Sequence, residues 1–298
     1  MAVGAEPTPF LHALPGGREG ATVRVRPLLT AEIMAPPAFW VRPGGPLAVP
    51  RGLLARRSTW LACPIPAFLI DHPTAGSILV DAGMHASVAT SPADSLGPVF
   101  GRILDIRMRP EQAVPAQLEA LGVDPRSVTA VVMTHLHYDH ASGIAQFPQA
   151  TFVVSAAEWA AASRGDLRQG YRARQFDHAV DWRTVDYEHA GVDSFATFGR
   201  SVDLLGDGSI RLVFTPGHTP GHQSVVVRLH DRELLLAGDA VYRREAIAGD
   251  ELPLLSDDDH VYRRTVGEIR AYVERTPNAI VVPSHDAGLW PQLAEVYS

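Results

Sequence analysis

Val128-Thr129-Ala130-Val131-Val132-Met133 runs without a break into Thr134-His135-Leu136-His137-Tyr138-Asp139-His140. The first six residues are β-branched or apolar almost throughout, as expected of a strand buried on both faces. Three imidazoles and a carboxylate then follow within six positions. Buried polar groups need hydrogen-bond or metal partners, and neutral imidazole with carboxylate is the donor set that borderline divalent ions such as Zn²⁺ accept. The arrangement recurs downstream. Ile210–Phe214, Leu234–Ala237 and Ala279–Val282 read as strands, and they lead into Thr215-Pro216-Gly217-His218, Gly238-Asp239 and Pro283-Ser284-His285. Strand ends on one edge of a sheet converge in space, so four scattered segments predict one site.

Working outward, Phe68–Ile70 and Ile78–Val80 read as paired strands around the turn-rich His72–Gly76, with Asp81-Ala82-Gly83 ending the second. Met84–Arg109 has no clear period and is expected to be a long functional loop. Glu111–Leu121 reads as a helix stopped by Gly122. Thr151–Val154 is another strand, and Ser155 with Glu158 has the spacing of a capping box before an Ala-rich helix. Ser224–Leu229 reads as a strand and Asp258–Arg275 as a helix. Strands and helices alternate, which makes the class α/β or mixed. With no repeat and no low-complexity linker, residues 21–298 are expected to form a single domain behind a mobile or loosely docked arm, residues 1–20.

Composition removes several function classes. The formal charge is −7 over 298 residues, with a 46% apolar fraction. That balance argues against a nucleic-acid partner and suits a small neutral substrate. All 26 basic residues are Arg, so lysine Schiff-base and P-loop lysine chemistry are excluded. The single Cys63 cannot form an intramolecular disulfide and is expected in the core. No run of about 18 uncharged apolar residues suggests a membrane span, and Pro and Gly interrupt Met1–Gly20 where a signal peptide would be continuous. A cytoplasmic location with no membrane partner is the expectation.

His-x-His-x-Asp-His with a downstream His, Asp and His resembles the metal signature of the metallo-β-lactamase superfamily. The resemblance spans about Phe68 to His285. It implies a four-layer αβ/βα sandwich with two divalent metals, Zn²⁺ expected, at one edge. Carried over position by position, His135, His137 and His218 resemble the ligands of one metal, and Asp139, His140 and His285 those of the second. Asp239 resembles the bridging carboxylate. Two such ions roughly 3.5–4 Å apart can activate one hydroxide and polarise both the attacked carbonyl and the leaving oxygen. His222 is left as a partner of the ligands or a structural residue, and the remaining histidines as ordinary ones.

Within the superfamily the chain looks most like the N-acyl homoserine lactonases. Val80-Asp81-Ala82-Gly83-Met84, His135–Ala141, Thr215–Ser224 and Ser284-His285-Asp286 are similar to that branch, and Tyr242, three positions after Asp239, matches its catalytic tyrosine. Asp239 argues against β-lactam cleavage. An end about a dozen residues after His285 is expected to leave no room for the helical domain of glyoxalase II. The resemblance therefore implies quorum-quenching hydrolysis of a lactone by a metal-bridging hydroxide, with Tyr242 on the carbonyl oxygen and Asp139 as proton carrier. Hydrolysis of other lactones, esters or phosphotriesters is the alternative, followed by a non-hydrolytic metal-binding role. Met34, Phe39, Trp40, Leu96, Phe100 and Ile103 are candidates to line an acyl groove. The reading leaves room for a homodimer. The long, Pro-rich portion before about Val49 and Ala141-Ser142-Gly143 depart from the lactonase pattern, which affects pocket shape more than chemistry.

Overall fold

Apolar side chains alternate between two faces along nearly every central strand. In the computed structural model, which describes residues 3–45, 47–164, 169–189 and 192–298, that alternation builds the layers. Ile70, Ile78, Val80, Val132, Val225, Val227, Leu234 and Leu236 share one core cluster. Their neighbours Leu69, Leu79 and Val131 point into a second cluster, and Val226, Leu235 and Ala237 into a third. Two faces per strand, both buried, require a layer on each side.

Among the described residues the first sheet holds β1 (Thr8–Pro9), β2 (Arg24–Ala35), β3 (Leu61–His72), β4 (Gly76–Val80), β5 (Asp105–Arg107), β6 (Val128–Val132), β7 (Thr151–Ser155) and β8 (Asp181–Val185), ordered β1-β8-β7-β6-β4-β3-β2-β5. The second holds β9 (Asp193–Phe195), β10 (Phe198–Asp203), β11 (Ile210–Phe214), β12 (Gln223–Arg228), β13 (Glu233–Gly238) and β14 (Ile280–Pro283), ordered β14-β13-β12-β11-β10-β9. The first cluster fills the space between the sheets. Helix Val114–Ala120 contributes Val114 and Leu118 to the outer side of the first sheet, and helix Asp259–Arg275 lays Tyr262, Val266, Ile269 and Tyr272 on the second. This is the expected four-layer αβ/βα sandwich. No helix among the described residues is long and apolar enough to cross a membrane.

Three expectations are corrected. Met84–Arg109 is not an irregular loop: it carries a 3-10 turn (Ala86–Ala89), a helical segment Pro92–Ile103 broken at Gly97, and β5. Pro98 directly after a glycine at φ +78° hides the helical period. The capping box is also absent. Ser155 is the N-cap of helix Ala156–Ala162 without a side-chain bond, because the Glu158 carboxylate is instead taken by donors on two other loops. The arm is not loose from residue 3 onward. Gly4 N and Ala5 N donate to Asp177 Oδ1 at 2.9 and 2.8 Å, β1 pairs with β8, and Leu14 N donates to Leu204 O at 2.8 Å. Phe10 and Leu14 pack on the inter-sheet core, which explains why a stretch so interrupted by Pro and Gly is held.

Candidate metal centre

The four strand ends meet as anticipated. His135, His137 and His140 follow β6, His218 follows β11, Asp239 follows β13 and His285 follows β14. They form two buried groups whose ligand atoms lie within 4.8 Å of one another: His135, His137, His218 and Asp239 in one, Asp139, His140 and His285 in the other. Asp239 divides its oxygens between them. Its Oδ2 lies 3.1 Å from His218 Nε2 and 3.8 Å from His135 Nε2, while Oδ1 lies 3.2 Å from His140 Nε2 and 3.3 Å from His285 Nε2. Asp139 Oδ2 closes the second group, 3.6 Å from His285 Nε2.

Hydrogen bonds on the outer side set the ring tautomers. His285 Nδ1 is 2.8 Å from the Pro64 carbonyl, which can only accept, so Nδ1 carries the proton and Nε2 presents a lone pair inward. His218 Nδ1 faces two groups, the Leu255 carbonyl at 3.3 Å and the Tyr242 hydroxyl at 3.4 Å. His140 Nδ1 lies 2.7 Å from Asp81 Oδ2. Asp81 in turn accepts from Thr134 N and Oγ1, and the Thr134 hydroxyl is 3.1 Å from His135 Nδ1. With its own proton given to Asp81, that hydroxyl accepts from His135. His137 differs, presenting Nδ1 at 3.0 Å from His218 Nε2.

Inward lone pairs facing one another and a carboxylate call for a cation. His135 Nε2, His140 Nε2 and Asp239 Oδ1 are buried and make no hydrogen bond. Protons do not fill this need evenly. Burial, reinforced by the neighbouring imidazoles, holds His135 and His137 well below the usual histidine range. Burial also works against charge on His140 and His285, but the carboxylates of Asp81 and Asp239 for the former, and of Asp239 for the latter, overcome it and raise both. Against its own burial, Asp239 is driven well below the carboxylate range by His285, His140 and His218. An ionised carboxylate whose two oxygens face imidazole nitrogens on both sides fits two divalent ions, which would take the place of the protons that His140 and His285 hold beside it.

Two residues beside the groups matter. Tyr242 is buried with its ring edge-on to His218 and His285, centroids 5.5 and 5.1 Å apart, and Trp40 covers both Tyr242 and His285. Burial and then the Asp239 charge raise the Tyr242 phenol well above its ordinary value, so it remains a donor. His222 supports Asp239 from behind. Its Nε2 accepts from Asp239 N at 3.0 Å, and Nδ1, which therefore bears the proton, is 2.9 Å from Thr215 Oγ1. Burial, chiefly, pushes His222 down to about 3, keeping it neutral. Gly238, at φ +54°, is needed there, since a Cβ would stand 2.7 Å from His222 Nε2.

Residue-pattern reasoning did not single out Asp81, Thr134 or Glu158 for the site. Asp81 carried a hint in its place after a strand, whereas its backbone at φ +61° is visible only in the fold. Of the candidate groove residues, Trp40 and Leu96 are buried in the cluster that also contains Tyr138 and Tyr242, with Phe39 packed against it. Met34 is half-buried on β2. The side chains of Phe100 and Ile103 lie outside those described. A cavity of about 200 Å³ opens beside His137 and His218, bounded by Tyr171, Pro220, Leu254 and Asp257.

With this geometry in place, the known proteins fall into line. The family model of the Metallo-beta-lactamase superfamily matches residues 60–285. The chain belongs to that superfamily. It is 39% identical over 234 residues to the N-acyl homoserine lactonase AttM of Azorhizobium caulinodans, covering 76% of this chain and 84% of the relative. A solved N-acyl homoserine lactone hydrolase with N-hexanoyl-L-homoserine at its catalytic metal centre superposes with a TM-score of 0.74 at 21% identity, over 92% of this chain and 97% of that one. AidC, a dizinc quorum-quenching lactonase, superposes at 0.60 with 15% identity, over 94% and 91%.

Proposed function

We propose that this protein hydrolyses the ring ester of N-acyl homoserine lactones, releasing the open N-acyl homoserine. The observation that carries the reading is Asp239 sharing its two oxygens between the two imidazole groups, with the Tyr242 phenol set between His218 and His285. The 39% identity to a lactonase over most of both chains supports the substrate class.

In this reading His135, His137 and His218 would hold one divalent ion and Asp139, His140 and His285 the other, with Asp239 facing both groups. When bound, the pair supplies Lewis acidity, which lowers the pKa of water and polarises the substrate carbonyl. Zn²⁺ is the proposed metal because the donors are imidazole and carboxylate. The chain's own groups do the rest. Tyr242 donates its phenolic proton toward the carbonyl oxygen as negative charge develops there. Asp139, placed by His285, carries the proton lost by the attacking water to the ring oxygen as the C–O bond breaks. Trp40 and the cluster of Tyr138, Met84 and Leu96 keep bulk water from the inner side.

The test is a proton-release assay of the Zn²⁺-loaded protein across N-acyl homoserine lactones, S-lactoylglutathione, a β-lactam and a phosphotriester. The lactones should be preferred. Equal or better turnover of any of the other three overturns the assignment.

A further inference from the structure

Glu158 is fully buried, 0% exposed, on the helix that follows β7, and its two oxygens reach different loops. Oε1 accepts from the backbone N–H of Leu136 at 2.9 Å, the residue between His135 and His137. Oε2 accepts from Thr219 Oγ1 at 2.6 Å, the residue after His218. The first loop leaves β6 in one sheet and the second leaves β11 in the other. A single carboxylate therefore sets the distance between the imidazoles that the two halves of the molecule bring to one group. The approach is close: a Cβ on Gly221 would collide with the Glu158 backbone. The helix does not use this side chain, since its N-cap has no side-chain hydrogen bond.

We propose that Glu158 is a positioning residue for the His135, His137 and His218 metal set, clamping the two loops that carry these histidines against each other. The inference rests on the reading that these residues bind a divalent ion, but not on which substrate the enzyme takes. Among the described residues the outer partners of His140 and His285 are Asp81 and the Pro64 carbonyl, not Glu158, so loss of Glu158 should be felt unevenly by the two ions. Partners behind metal ligands are typically worth about 10–100-fold in metal affinity.

The Zn²⁺-loaded protein is titrated with a competing chelator, and the visible spectrum of the Co²⁺-substituted protein is recorded, for wild type, Glu158→Ala and Glu158→Gln. In Glu158→Ala the more weakly held equivalent should leave at about 10–100-fold lower chelator strength, with the Co²⁺ bands shifted and the other equivalent much less affected. Glu158→Gln keeps an acceptor for Leu136 N–H and can donate its amide to Thr219 Oγ1, so it should recover most of the affinity. If Glu158→Ala does not fold, Thr219→Val removes one of the two bonds and should give an intermediate loss. Wild-type release curves and an unchanged Co²⁺ spectrum in Glu158→Ala, or in Thr219→Val if that is the variant available, overturn the proposal. A purely structural residue would lower the melting temperature and leave both readouts in place. None of these measurements uses a lactone, so failure of the substrate assignment is seen separately.

Discussion

Tyr242 and His222 touch the same group of residues in different ways. Tyr242→Phe removes only the hydroxyl and leaves the ring against Trp40 and His285. Loss of one oxyanion donor costs on the order of 10²–10³ in rate where donors act alone. In the proposed mechanism two ions would share the charge, so kcat should fall by about 10²-fold or less, with metal content and melting temperature unchanged. An unaltered kcat in a fully metallated preparation would reduce Tyr242 to a packing residue. His222→Ala leaves the Asp239 N–H buried without its acceptor, a loss of about 1–3 kcal/mol. Urea unfolding should report that loss, and chelator competition should show weaker binding of both ions. The histidine spacing pointed to His222 without deciding its role, because a ring that accepts from Asp239 is identical in sequence to one that only fills space.

At the scale of elements, a turn ties together segments distant in sequence. Asp207, between β10 and β11, accepts from Arg18 N, Ser209 N and His72 Nε2, at 2.8, 2.9 and 3.0 Å. Partial burial pulls its carboxyl upward, but the hydrogen bonds from Ser209, Arg18 and His72 win and bring it to about 2. A carboxyl depressed in the folded chain stabilises fully above its unfolded pKa, about 3.9, and the contribution disappears as pH falls through the folded value. Asp207→Asn should lower the melting temperature at pH 7 and flatten its decline between about pH 4 and 2. A decline in the variant as steep as in wild type would show that Asp207 is not the group responsible. Strands β6 and β11 were legible almost to the residue from their apolar runs. The segment from 84 to 109 was not, since Gly97 and Pro98 break the helical period and only packing against the Trp40 cluster restores order.

For the whole molecule, the centre is a joint between the two sheets. One half contributes His135, His137, Asp139 and His140, and the other His218, Asp239 and His285. Elemental analysis should find about two divalent ions per chain, and Asp239→Ala should lose both occupancy and activity. Full activity with a single ion would defeat the dinuclear reading. Because ions held only by the folded state stabilise it by mass action, chelator treatment should also lower the melting temperature, and added Zn²⁺ should restore it. The sequence alone pointed to the strands that carry the centre, β6, β11, β13 and β14, and to the seven candidate donors at their ends, because strand burial and ligand chemistry are written in local residue types and spacing, whereas β2, β8 and β10 were not legible in it. It could not assign the outer contacts: Asp81 on His140, Pro64 on His285, and Glu158 on two loops rather than on its own helix. Those partners lie between 22 and 221 positions apart, and a buried donor or acceptor takes whichever group the packed sheets bring within reach, which only the tertiary structure decides.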